Sequence, residues 1–195
     1  MNSRLNQSLT LFELLIAIVL LSLMVLGFAS IDLFSRHHVL TSERRAQVQN
    51  EVSFVLEHMA KNLSQAIGSS SNPGVDADVP NRRISVRWDR NSNGRPDDNG
   101  PNDWIVYIYN PGTREIGYNE SYSPPPGWPA TTWVVISNRI ITPFTINYIP
   151  GNNYVDIDPL TACWDPASTT WSCGAPDNPT VTMRTRIKMP SVSTN

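Results

Sequence analysis

Proline is missing from the start of this chain, because all 16 prolines lie at or after Pro73. A helix can therefore run through the N-terminal region without the break that an interior proline imposes. Charge is missing from residues 14–31, which are almost entirely apolar. The chain thus divides into an apolar, proline-free first part and a proline-containing second part of ordinary composition.

The chain also lacks a large net charge of either sign. Fifteen Lys and Arg against 17 Asp and Glu leave a net charge of -2 over 195 residues, which creates no general attraction for a polyanion. The six tryptophans all lie in the second part without interleaved basic stripes, and Arg82, Arg83 and Arg87 form only a small cluster. This pattern is more typical of core and loop packing than of base stacking. No nucleic-acid partner is expected.

Obvious catalytic groups are absent from the second part. No histidine follows His58, and the chain contains neither a G-x-S-x-G motif nor a glycine-rich phosphate loop, so the common nucleophile and phosphate sites are not indicated. The chain is therefore not expected to be an enzyme. One alternative stays open, since Asp156 and Asp158 could form a pair of catalytic carboxylates.

The first part predicts one long helix. Residues 14–31 would form about 27 Å of apolar helix, nearly the thickness of a bilayer core, and the run is too long for a cleaved secretory signal. Beyond it, apolar residues recur every three or four positions on one face; they are Val48, Val52, Val55, Met59, Leu63 and Ala66. A single helix over residues 9–68, about 90 Å long, is predicted, ending at Gly68.

The second part predicts short strands separated by Gly, Pro and Asn. One helix followed by several strands indicates an α+β fold, in which an antiparallel sheet packs on the amphipathic half of the helix. Pro143 favours an edge or a bulge in its strand. The predicted strands cover residues 84–88, 104–109, 114–118, 133–137, 140–148, 154–157 and 181–189.

Residues 8–13 read S-L-T-L-F-E and resemble the processing site of type IV prepilins. In that family a short polar leader precedes a small residue, an apolar residue, Thr-Leu, any residue, Glu and a long apolar helix. The resemblance extends over about the first 65 residues. The family usually has glycine before the cleaved bond, where this chain has Ser8.

The resemblance implies cleavage between Ser8 and Leu9 by a prepilin peptidase and methylation of the new Leu9 amine. It makes Glu13 an assembly residue, whose carboxylate would meet the Leu9 amine of a neighbouring subunit. It divides the chain into a leader (1–8), a transmembrane and filament-core half of the helix (9–35), an amphipathic half (36–68) and an extracytoplasmic strand-rich domain (69–195).

The implied function is that of a minor pilin, a structural subunit of a type IV pilus or related filament. Its partners would be membrane lipid, other pilins or pseudopilins, the prepilin peptidase and the inner-membrane assembly platform. Its location would be the cytoplasmic (inner) membrane as a single-pass protein, and then an extracytoplasmic filament.

A weaker resemblance concerns the second part, where W-D-R-N-S-N-G, I-V-Y-I-Y and R-I-K-M-P are similar to W-type minor pilins or to J-type minor pseudopilins of type II secretion. A pseudopilin is therefore the alternative within this class. The alternative of a different class is a membrane-anchored extracytoplasmic binding protein or enzyme.

Cys163 and Cys173 are the only cysteines, and their spacing fits no four-ligand metal set. Export, which the prepilin resemblance implies, favours a disulfide between them, and many pilins carry such a loop near the C-terminus. The alternative is a pair of reduced thiols in the core.

One polar loop has the ligand order of a calcium site. Oxygen-bearing side chains stand at its first, third, fifth and ninth positions around a glycine at the sixth, and a backbone carbonyl is available at the seventh. The alternative is a hairpin loop rich in turn residues. The candidate Ca²⁺ ligands are Asp89, Asn91, Asn93, Arg95 (through its carbonyl), Asp97 and Asp98.

Overall fold

A computed structural model describes residues 10–68, 74–78, 82–88, 104–120, 133–142, 144–148 and 154–189. One helix precedes nine strands in these segments, and every strand pairing is antiparallel. The predicted α+β fold is confirmed. The elements are α1 (Leu11–Leu63), β1 (Val75–Asp78), β2 (Arg83–Arg87), β3 (Trp104–Asn110), β4 (Glu115–Asn119), β5 (Val134–Ser137), β6 (Ile140–Thr142), β7 (Thr145–Tyr148), β8 (Tyr154–Cys163) and β9 (Thr180–Lys188).

The amphipathic pattern of α1 is confirmed, since all six predicted core residues from Val48 to Ala66 are buried. The predicted end at Gly68 is wrong, because α1 ends at Leu63. Two tight turns follow, in which the N–H groups of Gln65 and Ala66 donate to carbonyls three residues earlier. They redirect the chain so that the N–H of Ile67 donates to the carbonyl of Arg87, at the end of β2.

The first sheet has the order β1-β2-β3-β4-β5, so neighbours in sequence are neighbours in space. β3 lies at its centre and is buried from Ile105 to Tyr109. β1 was not predicted, because Val75–Asp78 contains two aspartates, which are uncommon in strands. The start of β4 also differs by one residue, since Arg114 has a positive φ of 61° and belongs to the turn.

The remaining strands form a second sheet around β8, where the sequence predicted a single sheet. β6 and β7 pair along one edge of β8, and β9 pairs along the other. The predicted strand over 140–148 is thus divided into two, and Pro143 between them lies outside the described residues. Alternating side chains specify strands but not their partners, so the sequence pattern did not separate the sheets.

β8 is longer than predicted, because it continues through Pro159 to Cys163. The pairing of β8 with β9 shifts register between Ile157 and Leu160. Such a bulge accommodates a proline, which has no N–H to donate to the neighbouring strand.

The buried face of α1 and both sheets share one hydrophobic core. Val52 and Met59 of α1, Tyr107 of β3 and Ile157 of β8 are all fully buried in it. The chain forms two compact units, Met1–Ser42 and Glu43–Asn195, and this core belongs to the second.

Gly74 permits a close approach of two chain segments just before β1. A Cβ atom built on Gly74 would lie 2.8 Å from the backbone carbon and oxygen of Ile67. The N–H of Arg87 donates to the carbonyl of Gly74 at 2.8 Å, which holds the segment in place. A side chain here would collide with backbone that cannot move without breaking these contacts.

We expect Gly74→Ala to reduce the free energy of unfolding by about 1–3 kcal/mol, the usual cost of inserting a methyl group into filled space. Gly27→Ala is the matched control, because a Cβ at Gly27 meets no atom within 4 Å. Thermal unfolding of the full chain in detergent measures both. An unchanged melting temperature for Gly74→Ala would contradict the close approach.

Candidate functional site

Thr10 and Glu13 form a reciprocal capping box at the start of α1. The backbone N–H and the hydroxyl of Thr10 each donate to Oε2 of Glu13 at 2.9 Å, and the N–H of Glu13 lies 3.3 Å from the Thr10 hydroxyl oxygen. This arrangement satisfies N–H groups that an α-helix leaves without internal partners at its first turn. The two cleavage-site residues, Ser8 and Leu9, lie outside the described residues.

The capping box gives Glu13 a role within a single chain that the sequence analysis missed. The signal was present, because Thr10-x-x-Glu13 before an apolar run is the capping-box pattern. The carboxylate is thus held at the helix start by Thr10, whether or not a second subunit is present.

The apolar part of α1 exposes its side chains throughout. Every residue from 11 to 40 is exposed, including Phe12 at 69% and Phe28 at 72%. Ser22 and Ser30 direct their hydroxyls to carbonyls one turn earlier, at 2.7 and 2.9 Å, so their polar groups are satisfied within the helix. Among the described residues, α1 is long and apolar enough to cross a membrane, a test that a signal sequence also passes.

A polar cluster joins the buried half of α1 to the centre of the first sheet. The Asn62 amide donates to the Tyr107 hydroxyl, which also lies 2.9 Å from Nδ1 of His58. The His58 ring packs 4.6 Å from that of Tyr118. Burial raises the pKa of the Tyr107 hydroxyl. Burial also lowers the pKa of His58; the charge of Lys61 lowers the His58 pKa further, whereas the charge of Glu120 raises it. Protonation of His58 as the pH falls therefore disfavours the folded state.

The predicted disulfide is confirmed: Cys163 and Cys173 are bonded, with Cα atoms 5.7 Å apart. Cys163 ends β8, so the bond closes a loop that begins at the end of the central strand of the second sheet. The alternative of two reduced core thiols is thereby set aside. In the chain-entropy model a loop of this length contributes about 2–3 kcal/mol to stability.

The buried side chain of Asn178, which follows the disulfide loop in the chain, forms hydrogen bonds with the backbone of that loop. It is 1% exposed, and its amide nitrogen donates to the carbonyls of Asp165 and Trp171 at 2.9 Å each. Its side-chain oxygen accepts the N–H of Asp165 at 2.8 Å. One buried amide thus links two residues of the loop, Asp165 and Trp171, through three hydrogen bonds.

The candidate calcium ligands, Asp89 to Asp98, lie outside the described residues, so the predicted Ca²⁺ site stays a prediction. In the segments that the structure describes, no group of three or more His, Cys, Asp or Glu is placed to hold a metal ion.

The possible carboxylate pair, Asp156 and Asp158, lies on the polar face of β8. Both oxygens of Asp156 accept from the Arg186 guanidinium, at 2.6 and 2.9 Å. These hydrogen bonds lower the pKa of Asp156 and raise that of Arg186. A general acid needs a raised pKa, so the geometry favours an ion pair at Asp156 over acid catalysis.

Comparison with family models, with curated proteins and with solved structures gives no match for this chain.

We expect Asn178→Asp to destabilise the fold by about 2–4 kcal/mol, because a buried carboxylate cannot donate to the two carbonyls that the amide satisfies. The disulfide should still form, as shown by the mass of the non-reduced protein. Thermal unfolding at pH 7 measures the loss. Asn50→Asp, the same change at an exposed position of α1, should leave the midpoint nearly unchanged, and equal melting of the two variants would contradict this role.

Proposed function

We propose that this chain is a minor pilin-like structural subunit of a type IV pilus or related filament, processed by a prepilin peptidase and assembled through its N-terminal helix. The observation that carries the proposal is the division of α1 into two kinds of surface. Residues 14–31 are exposed and almost entirely apolar. The later part of the helix instead buries one face in the domain core, through Val48, Val52, Val55, Leu56, Met59 and Leu63.

The exposed apolar part requires a non-aqueous partner, because apolar surface of this extent is unfavourable in water. Before assembly that partner would be membrane lipid. After assembly it would be the equivalent helices of neighbouring subunits. The continuous helix would carry the folded domain along in both states.

Glu13 supports the same proposal through the energetics of charge in an apolar medium. An unpaired carboxylate at the centre of a membrane helix costs about 3 kcal/mol or more. The capping box gives hydrogen bonds to the carboxylate but no positive charge. The methylated Leu9 amine of a neighbour would supply that charge, so subunits would be favoured in the register that brings the two groups together.

The first expected result concerns processing. Protein recovered from membranes or filaments should lack residues 1–8 and carry a methyl group on the Leu9 amine. Intact mass, followed by sequencing of the N-terminal peptide, measures both changes. A dominant species that retains Met1 in cells with an active prepilin peptidase would refute the proposal.

The second expected result separates the two roles of Glu13. Glu13→Gln keeps an oxygen that accepts from Thr10, since Gln also serves in capping boxes, but it has no charge. Glu13→Ala removes both roles. If charge pairing guides assembly, both variants should be cleaved normally yet enter filaments at least about tenfold less than wild type.

The control is Glu57→Gln, an exposed position on the later part of α1, which should assemble as wild type does. Immunodetection of the subunit in sheared filaments, with total membrane protein as reference, gives the ratio. Normal incorporation of Glu13→Gln together with failure of Glu13→Ala would leave the cap as the only role of Glu13.

A further inference from the structure

A cleft of about 670 Å³ lies in the second compact unit, where three segments meet. They are the turn between β3 and β4, the link between β5 and β6, and the start of the disulfide loop. None of the roles described above uses this cleft. Its size is within the range of about 300–1,000 Å³ that is usual for small-molecule sites.

The first two walls are held by backbone contacts. The N–H of Gly112 donates to the Asn110 side chain at 2.9 Å, which fixes the turn. Arg114 adopts its positive φ there, and its carbonyl accepts the N–H of Ile140 from the neighbouring wall at 3.2 Å.

The third wall is tied to the second through Arg139. The Arg139 guanidinium lies 4.5 Å from the centroid of the Trp164 ring and donates to Glu51 of α1 at 3.1 Å. The Arg139 carbonyl accepts the N–H of Cys163 at 3.0 Å. Asp165 is fixed by Asn178, and its carboxylate accepts the N–H of Ala167 at 3.1 Å. The cleft is therefore built before any ligand arrives, which lowers the entropic cost of binding.

The charges that line the cleft balance. Arg114 and Arg139 stand against Glu115 and Asp165, and the exposed amide of Asn138 adds both a donor and an acceptor. Arg139 is already paired with Glu51. An anion would meet the carboxylates of Glu115 and Asp165, and a cation would meet the Arg114 guanidinium, so neither sign is strongly favoured. Neutral hydroxyl groups can accept from the guanidinium groups and donate to the carboxylates.

Apolar surface is present beside these polar groups. Trp164 and Pro166 are both half-buried in the wall of the cleft. Such surfaces pack against the C–H faces of sugar rings, while the ring hydroxyls take the polar contacts. The volume exceeds what one ring requires.

From these observations we infer that the cleft between Arg114, Asn138 and Trp164 is a binding site for a short neutral oligosaccharide. The ligand is of two or three sugar rings, held by hydrogen bonds to Glu115, Asn138 and Asp165. The inference does not depend on the proposed filament role, because all of these residues lie in the folded domain.

The test uses the full-length protein in a detergent without a sugar headgroup. Lactose, cellobiose, maltotriose and triacetylchitotriose are titrated separately, and binding is followed by saturation-transfer NMR and by tryptophan fluorescence. At least one of them should bind saturably with a Kd of about 1 mM or tighter. Glu115→Gln and Asn138→Ala should each weaken that binding about tenfold, the effect of losing one good polar contact.

Asp158→Asn is the control, since it removes one carboxylate from an exposed strand position outside the cleft, and it should bind as wild type does. Melting curves confirm that each variant is folded. Absence of binding by all four sugars at about 10 mM would overturn the inference. Binding of a capped Gly-Ser-Gly peptide in their place, if lost in Glu115→Gln, would overturn it in favour of a peptide site.

Discussion

The fold depends on the face of α1 that packs in the core of the domain. The earlier part of the same helix, residues 14–31, is almost entirely apolar and lies outside this core. From Val48 to Leu63 the inward residues are buried against both sheets. Burying each such side chain stabilises the folded state by about 1.5–3 kcal/mol. Because both sheets pack on this one face, a change in the rotation of the helix would expose part of each. The helix is therefore the element that holds the two sheets in one core.

Polar contacts then fix the rotation of α1 about its axis and its position along that axis relative to the sheets. Glu51 accepts from Ser137 at 2.6 Å and from Arg139 at 3.1 Å, and Asn62 reaches Tyr107 in the centre of the first sheet. Arg44 donates to the carbonyl of Asp177 at 2.7 Å, beside the disulfide loop. Apolar contacts tolerate small shifts, whereas these directional bonds do not, and an unmet partner would cost about 1–3 kcal/mol. Glu51 has a second consequence, since through Arg139 it also supports the wall of the cleft.

The capping box at the start of α1 bears on the proposed charge pairing of Glu13. Thr10 holds the Glu13 carboxylate in a defined position by two hydrogen bonds. A charged group that is already positioned loses less entropy when it pairs with a cation than one on a freely rotating side chain. The cap and the proposed pairing are therefore compatible, and the proposed pairing gains from the cap.

The sequence by itself determined the helix, its buried face and most of the strands, because these follow from the spacing of apolar residues along a local stretch of chain. It also predicted the disulfide, through the prepilin resemblance and the presence of two cysteines only. Tertiary structure decided the division into two sheets, the short strand before Arg83, the end of α1 at Leu63 and the bulge that carries Pro159. It alone brought Arg114, Arg139 and Trp164 to one cleft. These features depend on which strand edges pair and on where backbone N–H and C=O groups find hydrogen-bond partners. Such pairings join residues that are far apart in the chain, and the local periodicity of apolar residues carries no information about them.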